Sequence, residues 1–352
     1  MMAQRHDCPT GVSGKRIALT LGSGGARGYA HVGVIQELLA RNYEIAAISG
    51  CSMGALIGGI YAAGKLDPYR EWVEELGSFG VLRLLDVTFG TMGAMQGKKV
   101  MGKIESFIGD INIEDLPIPF TAVATDLIRQ REVWFQRGSL LKAIRASIAI
   151  PGVFTPVEDG PRLLVDGGLL NPLPIISTVS VHADLVMAVN VTANSPSLVT
   201  LEELLPETCV SCDEGREQAL AEASSVALWE RRWRDRRGAS AHRDATRRLL
   251  ESAGTEAEAD RVERGTAALG KKEWGRLAMI LTSFDITQAA LARYKEAGYP
   301  PDILVEVPKT VCGSFEFHRA RELIRLGRHL TCQALDRIES CGIVEQTERP
   351  VG

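Results

Sequence analysis

Runs of consecutive aliphatic residues recur along the chain and alternate with stretches typical of helices. Strands that are covered on both faces consist of such runs, because neither face can carry polar side chains. Alternation with helices then predicts an α/β fold with a largely parallel central sheet. The predicted strands are residues 16–20, 45–48, 120–125, 163–165, 185–191 and 302–307, and the predicted helices are 29–39, 55–63, 98–108 and 140–148.

The pattern breaks between residues 194 and 275, where the chain becomes charged and alanine-rich and has few β-branched residues. We interpret this stretch as a mostly helical, charged insertion into the α/β domain. The predicted organisation is a disordered N-terminal tail (1–14), the main α/β core (15–193), the insertion (194–275), a C-terminal part of the same domain (276–340) and a tail (341–352).

The composition is typical of a globular chain with an aliphatic core, since 45% of the 352 residues are apolar and only 6% are aromatic. Forty basic side chains against 44 acidic ones give a net charge of −4, which argues against nucleic acid as a partner. Residues 1–14 contain no apolar segment of the signal-peptide type. Seven cysteines without small-scaffold spacing favour reduced thiols, so we expect a cytoplasmic location.

Two segments suggest other kinds of site, and both have simpler interpretations. Residues 45–64 carry no charge over the length of a membrane span, but five glycines among them favour a buried strand, turn and helix. Cys209 and Cys212 form a Cys-x-x-Cys pair, yet no second pair follows at zinc-ribbon spacing and His242 stands alone. We expect free thiols, no metal and no organic cofactor.

A Gly-x-Ser-x-Gly motif at residues 50–54 joins the second predicted strand to the helix that follows it. Small residues two before and two after the serine let the strand and the helix pack closely while the hydroxyl points outward. A serine oxygen held in this way suits nucleophilic attack on an acyl carbon. Ser52 is therefore the candidate nucleophile, and Gly50 and Gly54 are the elbow residues.

A glycine-rich loop follows the first predicted strand and opens the helix at 29–39. Its backbone N–H groups and the helix N-terminus suit either a phosphate or the oxyanion of an acyl-transfer intermediate. The Gly-x-Gly-x-x-Gly spacing of dinucleotide sites is not met, and no acidic residue ends the second strand, which favours the oxyanion. The candidate residues are Ser23, Gly24, Gly25, Ala26, Arg27 and Gly28.

Asp166 ends the apolar run at 163–165 and is followed by Gly167 and Gly168. One interpretation is an ordinary turn, since Asp-Gly is a common turn pair. The other is a base beside the serine, because a carboxylate in dry surroundings becomes a better proton acceptor.

The loop, the serine motif and the aspartate motif, in this order, resemble the patatin-like phospholipase family. The resemblance is closer to its bacterial members and to the catalytic domain of neuropathy target esterase. Residues 122–127 and 146–156 resemble the same branch. Five linked segments in one order are far more specific than any one of them. The resemblance covers about residues 15–193 and resumes weakly over 277–330.

This resemblance implies a patatin-like three-layer fold and hydrolysis of acyl lipids, namely phospholipids, lysophospholipids or related esters, by a Ser–Asp dyad. Ser52 would be the nucleophile, Asp166 the base, and residues 23–28 the oxyanion loop. The chain departs from the family pattern at two positions. Ser23 stands where many members have glycine, and Gln130 stands where a Thr-Gly turn commonly occurs.

Two alternatives stay open at the level of sequence. Ser52, Asp166 and His182 follow the chain order of an α/β-hydrolase triad, although His182 precedes a predicted strand in a position typical of a surface loop. A non-catalytic lipid-binding or regulatory protein could also keep this fold. The intact serine and aspartate argue against that alternative.

The segment from Trp229 to Leu249 contains eight arginines and three acidic residues. One interpretation is a solvated helical arm or a self-association surface, which leaves the oligomeric state open. The other is an interfacial helix with tryptophans at headgroup depth and arginines on anionic lipid. In that case the protein would lie peripherally on the inner membrane face.

Overall fold

The computed structural model describes residues 15–77, 80–81, 95–178, 181–194, 199–205 and 276–347. The strands in this part are β1 (Arg16–Leu21), β2 (Glu44–Cys51), β3 (Phe120–Asp126), β4 (Arg131–Phe135), β5 (Val157–Asp159), β6 (Arg162–Asp166), β7 (Leu185–Ala193) and β8 (Ile303–Pro308). The α-helices are α1 (Ala30–Ala40), α2 (Met53–Ala62), α3 (Leu66–Glu74), α4 (Lys98–Ile108), α5 (Leu140–Ser147), α6 (Leu201–Leu204), α7 (Arg276–Gly298) and α8 (Ala320–Thr347).

All eight strands belong to one sheet of order β5-β6-β3-β2-β1-β7-β8, with β4 paired to β3. The strands β3, β2, β1, β7 and β8 run parallel to one another. Every residue of β3 is buried, and so are all but the first residues of β1 and β2, because helices cover both faces. The prediction of an α/β fold with a largely parallel sheet is confirmed.

One side of the sheet is antiparallel, which the apolar runs do not predict. The strand β3 pairs antiparallel with β4 and with β6, and β5 pairs antiparallel with β6. Short turns join β3 to β4 and β5 to β6, and only antiparallel strands can be connected by so few residues. Gln130 closes the first turn with a φ of 53°, a left-handed conformation that glycine adopts more readily.

The C-terminal part of the chain completes the same sheet and core. The strand β8 pairs with β7, and α8 packs against α1. The two helices approach so closely that a Cβ on Gly33 would collide with the Ile324 carbonyl, and one on Gly327 with the Ala30 carbonyl. The helix α8 continues to Thr347, seven residues into the predicted C-terminal tail.

The uncharged segment at 45–64 forms most of β2 and the whole of α2, as the glycines in it predict. Among the helices that the structure describes, none combines the length and the apolar character that a bilayer span needs. Residues 1–14 and almost all of the predicted insertion lie outside the described residues, apart from the short helix α6.

Candidate active site

Ser52 lies in a sharp turn between β2 and α2, with φ 54° and ψ −119°. A positive φ is uncommon for a residue with a side chain and marks a position where the surroundings impose strain. The flanking glycines make this turn possible. A Cβ on Gly50 would collide with the backbone of Gly54, and a Cβ on Gly54 would collide with the carbonyl of Leu21 at the end of β1.

The register of β3 explains why Ser52 and Asp166 meet although 114 residues separate them. Cys51, the last residue of β2, pairs with Val123, and Asp166, the last residue of β6, pairs with Ala124. The strand β4 occupies the other edge of β3, so β2 and β6 share one edge and meet end to end. The Ser52 hydroxyl donates a hydrogen bond of 2.6 Å to Oδ2 of Asp166.

Asp166 is completely buried, and its second oxygen is also occupied. Oδ1 accepts a 2.7 Å hydrogen bond from the Gly168 backbone N–H and a long 3.9 Å contact from the Cys51 thiol. Burial raises the pKa of Asp166 from 3.8 to about 7, and the hydrogen bonds from Ser52 and Gly168 lower it only in part. A carboxyl group that titrates near neutral pH is well matched to proton transfer there.

Ser147 supports the turn from behind. Its hydroxyl donates a 2.6 Å hydrogen bond to the Val123 carbonyl and accepts a 2.9 Å bond from the Ser52 backbone N–H. The hydroxyl thus links the strained turn to β3 at the point where β2 ends. Sequence reasoning assigned no role to Ser147, although it lies within the 146–156 segment singled out above.

The glycine-rich loop passes beside this pair, and its backbone amides differ in what they bind. The N–H of Ser23 donates to the Pro172 carbonyl and that of Ala26 to the Ser314 carbonyl. In the part of the chain that the structure describes, the N–H groups of Gly24 and Gly25 donate to no backbone carbonyl. Among the described residues, these two amides are therefore the candidate oxyanion donors of the loop, at the start of the 3₁₀ segment Gly25–Tyr29 that precedes α1.

A narrow cleft opens onto Ser52. One wall comes from the loop and the serine turn, and the other comes from α7 and the segment that follows β8. Half of the residues in the second wall are apolar, namely Leu281, Phe284 and Phe315, so the cleft can hold a hydrocarbon chain beside a polar group. It is lined by Ser23, Gly25, Ser52, Ile150, Leu281, Phe284, Asp285, Gln288, Ser314 and Phe315.

Residues 19–179, which include the loop, Ser52 and Asp166, match the family model described as patatin-like phospholipase. Over 341 residues the chain is 42% identical to an uncharacterized NTE family protein of Mycobacterium tuberculosis (strain H37Rv), and the match covers 94% of each chain. The chain belongs to the NTE family of patatin-like proteins. It is also 34% identical over 171 residues to neuropathy target esterase sws of Drosophila persimilis, covering 46% of this chain and 12% of that one.

Among solved structures, VipD from Legionella pneumophila is similar over 92% of this chain and 67% of its own, with a TM-score of 0.41 and 12% sequence identity.

Arg27 of this NTE family protein braces the loop rather than facing Ser52. Its guanidinium is almost fully buried and donates to the carbonyls of Gly24, at 3.1 Å, and of Lys309, at 3.2 Å. It also donates to the Ser314 hydroxyl at 3.0 Å and lies 3.7 Å from Asp285. Arg27 therefore fastens the loop to α7 and to the segment after β8.

Gln288 makes the second link between α7 and the loop, and sequence reasoning missed it. Its side-chain carbonyl accepts a 3.2 Å hydrogen bond from the Ser23 hydroxyl. Its amide packs so closely against Gly168 that a Cβ there would collide with it. A single buried glutamine in an alanine-rich helix has no recognisable sequence signature, so only the tertiary contact reveals it.

Among the described residues, neither His31 nor His182 makes a hydrogen bond to Ser52 or Asp166. His31 is buried, and its Nε2 donates a 2.8 Å hydrogen bond to the Gly22 carbonyl, while burial lowers its pKa to about 4. It is a neutral residue that holds the loop. His182 is exposed, two residues before Asp184, whose N–H donates to the Arg16 carbonyl at the start of β1. The Arg16 end of β1 lies about 16 Å from the other end of β1, which is next to the Ser52 turn, because each residue of a strand adds about 3.3 Å.

Two predicted features lie outside the described residues, the Cys209–Cys212 pair and the arginine-rich segment at 229–249. Within the described ranges there is no group of three or more His, Cys, Asp or Glu side chains that could hold a metal ion.

Proposed function

We propose that this protein is a serine hydrolase of acyl lipids, acting on phospholipids, lysophospholipids or related esters through Ser52 and Asp166. Membership of the NTE family of patatin-like proteins supports lipid acyl hydrolysis at the level of the family. The observation that carries the assignment to these two residues is the 2.6 Å hydrogen bond from the Ser52 hydroxyl to a buried carboxylate oxygen, at the bottom of the cleft.

In the acylation step, Ser52 Oγ forms a bond to the ester carbonyl carbon while its proton passes to Oδ2 of Asp166. The carbonyl oxygen becomes an oxyanion, and the N–H groups of Gly24 and Gly25 donate to it. Collapse of the tetrahedral intermediate breaks the ester bond. The alcohol leaves with the proton from Asp166, and the acyl group stays on Ser52.

In the deacylation step, water attacks the acyl-serine and gives its proton to Asp166. A second oxyanion forms in the same place, and its collapse releases the fatty acid and returns the proton to Ser52. Both steps need Asp166 as a carboxylate. Since its pKa is raised to about 7, the rate should increase with pH through the neutral range and then level off.

The test compares wild type with Ser52→Ala, Asp166→Asn and the double variant on a short-chain p-nitrophenyl ester. Each single variant should lose nearly all activity with an unchanged circular dichroism spectrum. The double variant should be no worse, because members of one catalytic unit are not additive. Ser106→Ala, at an exposed serine with a purely local hydrogen bond, is the matched control.

Mass spectrometry of a mixed lipid extract after incubation with wild type and with Ser52→Ala would identify the substrates. Full activity in Asp166→Asn would refute the dyad. An inert wild-type protein would instead support the lipid-binding or regulatory alternative.

A further inference from the structure

The helix α7 has an unusual distribution of apolar residues. From residue 277 to residue 292 it contains one charged residue, Asp285. Large apolar side chains of a helix normally face the core. Here one side is open to solvent, and the exposed fractions are 55% for Met279, 50% for Ile280, 60% for Ile286 and 76% for Tyr294.

These four side chains share one face of the helix, which we call the outer face. At 3.6 residues per turn they fall within an arc of about 120°. The other side of α7 carries Leu281, Phe284 and Gln288, which line the cleft above Ser52. Phe284 is the nearest of these to the outer face, about 40° from Ile280 around the helix axis. The outer face is therefore continuous with the apolar residues of the cleft wall.

Asp285, the single charge in this stretch, points away from the outer face. Its Oδ2 accepts a 3.0 Å hydrogen bond from Ser314, and its Oδ1 lies 3.7 Å from the guanidinium of Arg27. The outer face thus presents Met279, Ile280 and Ile286 without charge, and the exposed side chains of Ser283 and Thr287 lie between them. The Thr287 hydroxyl donates to the Ser283 carbonyl within the helix. Tyr294 adds an aromatic ring with a polar tip next to the exposed Arg293. This combination suits the boundary between acyl chains and headgroups.

We infer that the outer face of α7 docks on a phospholipid bilayer, so that an acyl ester passes from the bilayer beside Phe284 into the cleft. The purpose of the docking rests on the proposed function. A bilayer fits the face better than a second copy of this chain for two reasons. A stable protein interface needs about 800 Å² and some 20 residues per partner, far more than this row of four side chains. A second copy would also cover the mouth of the cleft.

The bilayer contact predicted here differs in its physical basis from one made by the arginine-rich segment at 229–249. Apolar insertion does not depend on lipid charge and is not screened by salt. Arginine contacts, in contrast, need anionic lipid and weaken at high salt. Binding through α7 should therefore be similar on neutral and anionic vesicles, and at low and high salt.

The experiment measures co-sedimentation of the full chain with phosphatidylcholine vesicles, with and without phosphatidylglycerol. All proteins carry Ser52→Ala, so that no lipid is consumed. The test variant replaces Met279, Ile280 and Ile286 with Gln. The matched control replaces the same three residues with Leu, and a second control is Leu39→Gln, an exposed apolar residue at the far end of α1.

Each half-exposed side chain that enters hydrocarbon should contribute about three- to tenfold to the partition coefficient. The triple Gln variant should therefore bind at least about 30-fold more weakly, while the triple Leu variant and Leu39→Gln should bind as the parent does. A second variant, Ile286→Trp, keeps the outer face apolar and adds a fluorescent reporter. Vesicles with brominated acyl chains should quench the emission of this tryptophan.

Unchanged vesicle binding in the folded triple Gln variant would overturn the inference, and so would quenching in the Ile286→Trp variant that does not exceed that of the parent. A change from dimer to monomer in sedimentation velocity without a change in vesicle binding would overturn it in favour of a second copy. Failure of the proposed function would appear elsewhere, as the absence of Ser52-dependent ester hydrolysis, because these binding measurements involve no turnover.

Discussion

Replacing the proposed base, Asp166→Asn, should make the protein more stable at alkaline pH. Asp166 is fully buried, and its pKa is raised from 3.8 to about 7 because burial disfavours the carboxylate. Between these two values the native state holds a proton on this group that the unfolded chain has already released. Stability falls with rising pH wherever the native state binds more protons. The wild type should therefore lose stability from about pH 4 to about pH 7, and asparagine, which does not titrate, removes this loss.

The size of the effect follows from the two pKa values. Between pH 5 and pH 8 the contribution of Asp166 to the free energy of unfolding should fall by about 2–3 kcal/mol, at 1.36 kcal/mol for each pKa unit. The Asp166→Asn substitution also alters the hydrogen bonds with Ser52 and Gly168. That change shifts the stability of the variant by nearly the same amount at both pH values, because neither partner titrates in this range.

Urea unfolding followed by circular dichroism at pH 5, 6, 7 and 8 measures the effect. The difference in free energy of unfolding between Asp166→Asn and wild type should grow in favour of the variant by about 2–3 kcal/mol from pH 5 to pH 8. Asp110→Asn, at an exposed position after α4, should not reproduce this trend. A difference that stays constant across the pH range would refute the argument that a buried, reluctantly ionised carboxyl group lies at this position.

Three further substitutions test the support of the site. Gly54→Ala places a Cβ against the Leu21 carbonyl and should lower the free energy of unfolding, measured by thermal unfolding, by about 3 kcal/mol or more. The control Gly102→Ala, in open surroundings on α4, should raise it by about 0.5–1 kcal/mol. Similar effects of the two substitutions would contradict the packing argument. Arg27→Lys should lower kcat about tenfold with little change in KM, because an ammonium cannot replace a fork with several partners, and wild-type kcat would show that the brace is dispensable. His182→Ala should stay within several-fold of wild-type activity, and a loss of about 10³-fold would revive the triad.

The features that the sequence predicts well are those encoded by neighbouring residues. The turn at Ser52 depends on Gly50 and Gly54, and an apolar strand before it marks the carboxyl end of the sheet. The loop at 23–28 likewise follows an apolar strand, and Asp166 ends the apolar run at 163–165. Each needs only a strand boundary and a pattern of small residues, both of which are visible in a few consecutive positions.

The features that the sequence does not predict depend on contacts between distant segments. Ser147 acts on Ser52 from 95 residues away, and Gln288 reaches Ser23 from 265 residues away. Neither residue belongs to a local pattern, because its role comes from where the sheet places its helix. The direction of β6 was also missed, since an apolar run of three residues predicts a strand without showing which way it runs.

The end-to-end meeting of β2 and β6 along one edge of β3 has a consequence for folding. The spacing between Ser52 and Asp166 is set by backbone pairing to Val123 and Ala124, which are consecutive residues of one strand. A chain in which β6 has not yet joined β3 contains Ser52 and Asp166 but no pair. Recovery of ester hydrolysis during refolding would thus report the pairing of β6 with β3. Partly folded molecules with a formed parallel core would have no hydrolytic activity until that pairing occurs.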